Sequence, residues 1–556
     1  MQRDSALIFL SGIVLFTAGL GSEFVSMQAR FAFFAQEMLR YGPSFFPTTY
    51  GLPYPDYPAG STLAVYLVSL LFGRVIPFAA VLPTAAVSAL ILVVTYQIGA
   101  MHSRKWGLGA VLLELSTYLF LSESRSISLD QYVSLATVLS FYLVYSSGLC
   151  GGKKRLWFIP LILTAAFFFR GPIGMIIPAA VVCGYYLWRR EFRNSLLMAG
   201  GTLFLLAACG TALLGAAYLQ GGEDLVKRVI DAQAAGRMVD GRESCLFYWY
   251  RCLSSCAVSC PLAILVVGAR FRRILKRETP DDTFLGYLAC WVLIVLIGMS
   301  VPAAKKARYI LPIVPALALA ASWVFIDLSL KGVLAETRKA VVRICSFIPL
   351  SAGLAAVAFL VFGPLFRLHA GIHSVVAAGL LTGLAVIVWA ARRRLKNYQN
   401  GDMTLMAAAV AAFIIIDAGI FEPVEIDRQR TMPFAEKLLS LQQGRPGEVV
   451  FYRIGPDGED IKFMVNYNRP ITPVFVKSPE ELLGRQKDSY FIARKQDFEQ
   501  LPEAIKKQMN LCFQGRIGHK DCVVFTFQDF GPNKPIGMRT GVREAGAASA
   551  PQESKR

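Results

Sequence analysis

The sequence predicts a polytopic α-helical membrane protein of about 13 transmembrane helices, followed by a small C-terminal α/β domain. Three observations carry this prediction. Hydrophobic residues make up 55% of the 556-residue chain and charged residues 17%, against about 45–50% and about 25% in soluble globular proteins. Apolar runs long enough to cross a bilayer recur up to residue 421. The net charge of +19 lies in short Lys and Arg clusters between those runs, which is a topology signal and excludes a nucleic-acid partner.

The spans are expected at about 5–21, 75–98, 107–122, 130–149, 156–169, 172–189, 195–219, 247–269, 283–301, 309–328, 341–363, 372–391 and 403–421. Two of them nearly fuse at Arg170-Gly171-Pro172, where Gly and Pro allow a tight reversal. With a cytoplasmic N-terminus, the basic clusters Arg104-Lys105, Lys153-Lys154-Arg155, Arg189-Arg190, Arg270 to Arg277, Lys331 to Lys339 and Arg392-Arg393-Arg394 are all cytoplasmic. The polar region after residue 421 then falls outside. The first span lacks a small-residue cleavage site, so no cleavable signal is expected.

Residues 22–74 form the first outer loop. Within ARFAFFAQEMLRYG, Met27, Phe31, Phe34 and Met38 lie near one stripe while Arg30, Gln36, Glu37 and Arg40 lie elsewhere, which predicts an amphipathic helix in the membrane interface. Pro47, Gly51, Pro53, Pro55 and Pro58 then impose an irregular backbone that must lie against protein or a wet cavity. Asp56 sits inside that segment. The run 61–73 is too short to cross, about 20 Å of helix against about 30 Å of hydrocarbon, and is expected to be interfacial or re-entrant.

Other outer ends also carry charge. Glu123, Arg125 and Asp130 flank the third outer loop, Arg170 caps the fused turn, the loop 220–246 holds Lys227, Arg228, Asp231, Gln233 and Arg237, and Lys305, Lys306 and Arg308 precede the tenth span. Charges at membrane depth are costly and usually functional. Residues 422–540 alternate short apolar runs with charged helical patches and read as a small α/β domain, and 541–556 as a disordered tail. Cys252, Cys256 and Cys260 share a helical spacing that is read as packing, while Cys512 and Cys522 would be free to pair in an oxidising compartment.

The order of these pieces resembles the GT-C glycosyltransferases, the superfamily of the lipid A aminoarabinose transferases and the protein O-mannosyltransferases. The pieces that match are Arg30-Phe31, Glu37-Met38-Leu39, Gly42, Gly51-Leu52-Pro53-Tyr54-Pro55-Asp56-Tyr57-Pro58, Asp130, Arg170-Gly171-Pro172, Arg237 and the Lys305 to Pro312 run. The resemblance implies a bacterial inner-membrane enzyme that moves a sugar from a polyprenyl-phosphate carrier to a periplasmic lipid, glycan or protein, with the C-terminal domain in the periplasm. Its partners would be the lipid-linked donor, the acceptor and membrane lipids. The alternatives are a catalytically impaired relative that binds glycolipid, or a transporter of lipid-linked sugar. Two positions depart from the pattern: Met27-Gln28 stands where the family has an acidic pair, and Tyr57 where it has Lys. The metal-binding histidine of the aminoarabinose enzymes has no counterpart, so no metal is carried over and the cofactor is left unknown.

Sugar transfer from a carrier phosphate needs cations at the leaving phosphate and a route for the acceptor proton. Arg170, Lys305, Lys306, Arg308, Arg237 and Arg30 are the candidate phosphate ligands, each of which would also suit a headgroup anchor. Asp56, Asp130 and Glu23 are the candidate catalytic carboxylates; Asp130 would equally suit a helix cap.

Overall fold

The computed structural model describes residues 2–21, 23–235, 243–326, 331–366, 371–396, 401–444, 446–485 and 489–527. The chain divides into two compact units. One is Met1–Ala435 with Pro456–Thr472 and Arg516–Lys520; the other is Glu436–Gly455, Pro473–Gly515 and the described residues from Asp521 onward.

The first unit is a helical bundle. Among the described residues, eight helices are long and apolar enough to cross a membrane, and nine if Phe247–Ser255 and Ser259–Ala269, bent by 108°, count as one span. The expected count of 13 is not reached by this measure, because the four other stretches hold only shorter helices: Gln2–Thr17, Arg104–Leu115 with Tyr118–Ser124, Phe158–Arg170, and Pro172–Trp188. Local sequence explains several boundaries. Pro77, Pro172 and Pro280 each sit in the first turn of a helix, where the missing N–H costs nothing, and Thr279 Oγ1 accepts from Asp282 N. The buried indoles are satisfied: Trp106 Nε1 donates to Leu319 O at 2.8 Å and Trp291 Nε1 to Pro312 O at 3.0 Å. Pro77–Ala100 and Arg104–Leu115 meet at Gly99 and Gly107, so closely that a Cβ on Gly99 would lie 2.7 Å from Gly107 Cα.

The helix Gln28–Tyr41 differs from the expected interfacial element. Phe31, Phe33, Phe34 and Met38 are buried, but so are Gln36 and Glu37. It packs on Gly60–Leu70 and on Glu459–Tyr467, the latter lying in a segment of the first unit. Protein therefore covers both the apolar stripe and part of the polar face of a helix that the sequence placed in the membrane interface. Gln36 Nε2 donates to Val465 O, and Glu37 Oε2 accepts from Gly51 N at 3.0 Å.

Cys252, Cys256 and Cys260 are buried, with Cys252 Sγ 3.3 Å from Cys260 Sγ. They meet across the break between two helices rather than along one continuous face.

The second unit holds a sheet of five strands in the order Val474–Val476, Glu448–Tyr452, Ser489–Arg494, Lys520–Phe527, Met509–Ile517. The first three strands are parallel, and Ser489–Arg494 pairs antiparallel with Lys520–Phe527. Val450, Tyr452, Phe491, Val523 and Phe525 form its core. Cys512 and Cys522 are not joined in a disulfide, the first being exposed and the second buried. The tail 541–556 lies outside the described residues.

Candidate active site

The site is organised by a reversal of the chain. Helix Phe158–Arg170 ends at Gly171, whose φ of +70° is a left-handed value that glycine adopts without strain, and Pro172 starts the next helix. Arg170, at the C-terminal end of its helix, is thereby turned into the bundle and is 2% exposed. A guanidinium so buried must be paired. Its Nε donates to Asp130 Oδ1 at 2.9 Å, and its plane lies over the rings of Tyr57 and Tyr309, 5.6 and 5.2 Å from their centroids. Arg170 Nη1 is buried and has no hydrogen-bond partner among the described residues.

Asp130 opens the helix Asp130–Cys150 and is 5% exposed. Its second oxygen faces another cation, Arg308 Nε, at 3.0 Å in an ion pair outside hydrogen-bond alignment. Arg308 comes from the 3₁₀ turn Ala307–Ile313, which continues into the helix Val314–Ser322. One carboxylate thus holds two guanidiniums from separate helices. Glu123 adds a second carboxyl nearby: its Oε2 accepts from Ser128 Oγ at 2.6 Å. Burial raises the pKa of the Tyr57 hydroxyl, so that phenol stays neutral.

The first-loop residues reach this cluster through Tyr57. Thr48–Thr49 and Leu52–Pro53 form a two-stranded antiparallel clip, and Tyr54 and Tyr57 stack with ring centroids 6.0 Å apart. Asp56 lies between them, half-buried, with its carbonyl accepting from Gln233 Nε2 at 2.7 Å. Arg30 braces the same segment: Nη1 donates to Tyr54 Oη at 2.9 Å and Nη2 to Asp457 O at 2.7 Å.

Lys305 Nζ donates to Pro302 O at 2.7 Å, while Lys306 is exposed and its backbone N–H donates to the buried Tyr248 hydroxyl. Arg237 lies outside the described residues. Glu23 is elsewhere. Its carboxylate is buried and accepts from Thr431 N and Met432 N, both at 2.9 Å, with Arg430 Nε at 3.2 Å. The structure therefore brings together Asp130, Arg170 and Arg308, places Asp56 next to Tyr57 on their rim, and gives Glu23 an anchoring contact instead. Sequence reasoning had no signal for Tyr248, and counted Tyr57 only as a missing lysine. Among the described residues no group of three or more His, Cys, Asp or Glu side chains is arranged to hold a metal ion.

Chemically, the cluster is a buried ion network with donors to spare. Among the described residues Arg170 Nη1 meets no acceptor, and Arg308 keeps part of its fork free of Asp130. Such a geometry suits an oxyanion with several acceptor atoms.

No protein-family model matches the chain. The undecaprenyl phosphate-alpha-4-amino-4-deoxy-L-arabinose arabinosyl transferase of Pseudomonas paraeruginosa is 26% identical over 305 residues, 52% of this chain and 54% of that protein. The enzyme of the same description from Pseudomonas savastanoi pv. phaseolicola is 22% identical over 325 residues, 57% of this chain and 60% of that protein. The chain thus spans just over half the length of the curated relatives it matches. Crystal structures of ArnT from Cupriavidus metallidurans share its architecture. The form bound to undecaprenyl phosphate superposes with a TM-score of 0.71 at 13% identity, over 95% of this chain and 99% of that one. The apo form gives 0.67 at 12% identity over the same shares. This chain therefore has the fold of ArnT, and in sequence it resembles the undecaprenyl phosphate-alpha-4-amino-4-deoxy-L-arabinose arabinosyl transferases.

Proposed function

We propose that this chain is a glycosyltransferase of the bacterial inner membrane, moving a sugar from a polyprenyl-phosphate carrier to a lipid, glycan or protein acceptor at the periplasmic face. The domain after residue 421 lies in the periplasm in this reading. The observation that carries it is Arg170, a buried guanidinium with an unpartnered Nη1 beside a second arginine on the same carboxylate. It occurs in a fold whose solved example is described as bound to undecaprenyl phosphate.

Arg170 and Arg308 take the carrier phosphate, with Lys305, Lys306 and Arg237 as further cations around it. As the bond from the sugar carbon to the phosphate oxygen breaks, the bonding electrons leave with the phosphate. The two guanidiniums offset that charge in a site with little water. Asp56 accepts the proton of the attacking acceptor hydroxyl. Asp130 acts through the arginines it aligns, and Arg30 through Tyr54, so both are positioning residues. Glu23 is spent on the backbone of Thr431 and Met432 and takes no proton here.

The test is transfer of labelled sugar from a polyprenyl-phosphate donor in isolated membranes. Arg170→Ala and Asp56→Asn should each lower transfer by about 10²-fold or more. Membranes that retain the donor but form no product, with wild-type chain present, would instead make it a glycolipid-binding relative.

A further inference from the structure

A cavity of about 670 Å³ lies within the helical unit, and none of Asp130, Arg170 and Arg308 lines it. It is formed where the ends of Pro77–Ala100 and Tyr118–Ser124 meet the segment 20–28 and the helix turn after residue 412. Four carboxylates line it, Glu23, Asp417, Glu422 and Glu425, against one guanidinium, Arg125. Three of the four are engaged. Glu422 Oε2 takes Arg125 Nη2 at 2.6 Å, Glu425 takes Gln429 Nε2 at 2.5 Å, and Glu23 takes Thr431, Met432 and Arg430.

Asp417 is the exception. It is 7% exposed, lines the cavity, and makes no hydrogen bond or ion pair with any described residue. Its position is unusual as well. Asp417–Phe421 is a π-helical turn between Gly401–Ile416 and Glu422–Arg428, and an extra residue in a helix is commonly kept where a side chain must be re-aimed. The remaining walls are mixed: Val81, Phe413 and Ile426 are apolar, Ser26, Gln28, Ser122 and Gln429 are polar, and the large side chains of Phe421 and Tyr118 are more than half exposed. A surplus of carboxylates over cations, set beside the apolar side chains of Val81, Phe413 and Ile426, matches an amphiphile with a cationic head.

We infer that this cavity holds the primary ammonium headgroup of an ethanolamine-type membrane lipid, with Asp417 as its acceptor and Val81, Phe413 and Ile426 against its acyl chains. A primary ammonium can donate N–H bonds to an unpartnered carboxylate; a trimethylammonium head has no N–H to give.

The inference stands apart from the sugar-transfer reading and is tested without it. The purified full chain is placed in phosphatidylglycerol nanodiscs doped with a diazirine-acyl phosphatidylethanolamine. Photolabelled peptides are then mapped by mass spectrometry. Labelling of the segment 413–426 should exceed that by the matching phosphatidylcholine probe by about tenfold, the worth of one charge-assisted hydrogen bond. Asp417→Asn should remove that preference. Glu425→Gln, which leaves Asp417 in place but weakens the local field, should reduce it and serves if the first variant does not fold. Equal labelling by ethanolamine, choline and glycerol probes would overturn the inference, as would labelling undiminished in both variants.

Discussion

Arg170 donates through Nε to Asp130 at 2.9 Å with both side chains almost fully buried, and the same carboxylate faces Arg308 at 3.0 Å. Removing the shared acceptor leaves two guanidiniums without an anion in a poorly hydrated place. Breaking a buried pair from one side costs about 3–5 kcal/mol, far more than an exposed pair. Asp130→Asn should therefore lower thermal stability in detergent as well as transfer. Arg308→Met in the Asp130→Asn background should recover part of the stability and none of the transfer. A double-mutant cycle reads the coupling, expected at about 1–3 kcal/mol. Independent, additive effects would show that the two groups do not work as a unit.

Glu23 gives the opposite pattern. Its carboxylate receives two backbone N–H groups at the start of the segment leading into the helix Met432–Gly444. Glu23→Ala leaves those donors buried without acceptors, a loss of about 1–3 kcal/mol. Transfer per folded molecule should stay near wild type, because no sugar chemistry passes through this group. A fall in kcat of about 10²-fold at unchanged stability would return Glu23 to the reaction as its base.

Gly171 is set by conformation and by space together. Its φ is +70°, and a Cβ there would lie 3.0 Å from Gln233 Oε1. Gly171→Ala should cost about 1–2 kcal/mol through the left-handed backbone and should push away the Gln233 amide that holds the Asp56 carbonyl. Transfer should then fall more than stability does. Adding Gln233→Ala relieves the crowding but not the backbone, so it should leave the stability loss in place.

Much of the fold and part of the site were legible in the sequence, for reasons that differ by element. The Arg170-Gly171-Pro172 reversal was visible because Gly and Pro each restrict the backbone in a way no neighbour overrides. Asp130 and Arg308 were visible because an ionised group beside an apolar run is costly to keep unless it is paired or used. Their joining was not, since 178 positions separate them in the numbering and pairing depends on how helices pack. The helix Gln28–Tyr41 misled for a related reason: its stripe of aromatics implied a helix lying in the membrane interface, whereas Gly60–Leu70 and, far along the chain, Glu459–Tyr467 pack on it. The same blindness hid Tyr57, which sequence marks only as a lysine's replacement but which lies over the Arg170 plane. Span counting was limited by geometry too. Ser116 and Thr117 end a helix inside one expected span, and the Cys256 region bends another by 108°.

Asp460 gives the last prediction, a pH dependence with a defined sign. It is fully buried, accepts from Tyr50 Oη at 2.6 Å and from Gly458 N at 2.8 Å, and burial outweighs both bonds to raise its pKa from 3.8 to about 6. A carboxyl whose folded pKa is raised binds its proton more tightly in the folded state, so its contribution is favourable below the unfolded value. That contribution is lost as pH climbs from about 4 to about 6, and the deficit is constant above. A shift of this size corresponds to about 2–3 kcal/mol. Other carboxylates titrate in the same window, so the quantity to measure is the difference in unfolding free energy between wild type and Asp460→Asn. Wild type should lose stability relative to the variant between pH 4 and 6, and the difference should be flat from pH 7 upward. Tyr50→Phe removes a donor that stabilises the charged form, so it should carry the upper end of the window to higher pH. A difference that is level across the whole range, or that rises with pH, would mean that Asp460 is ionised in the folded protein and that the Tyr50 bond outweighs its burial.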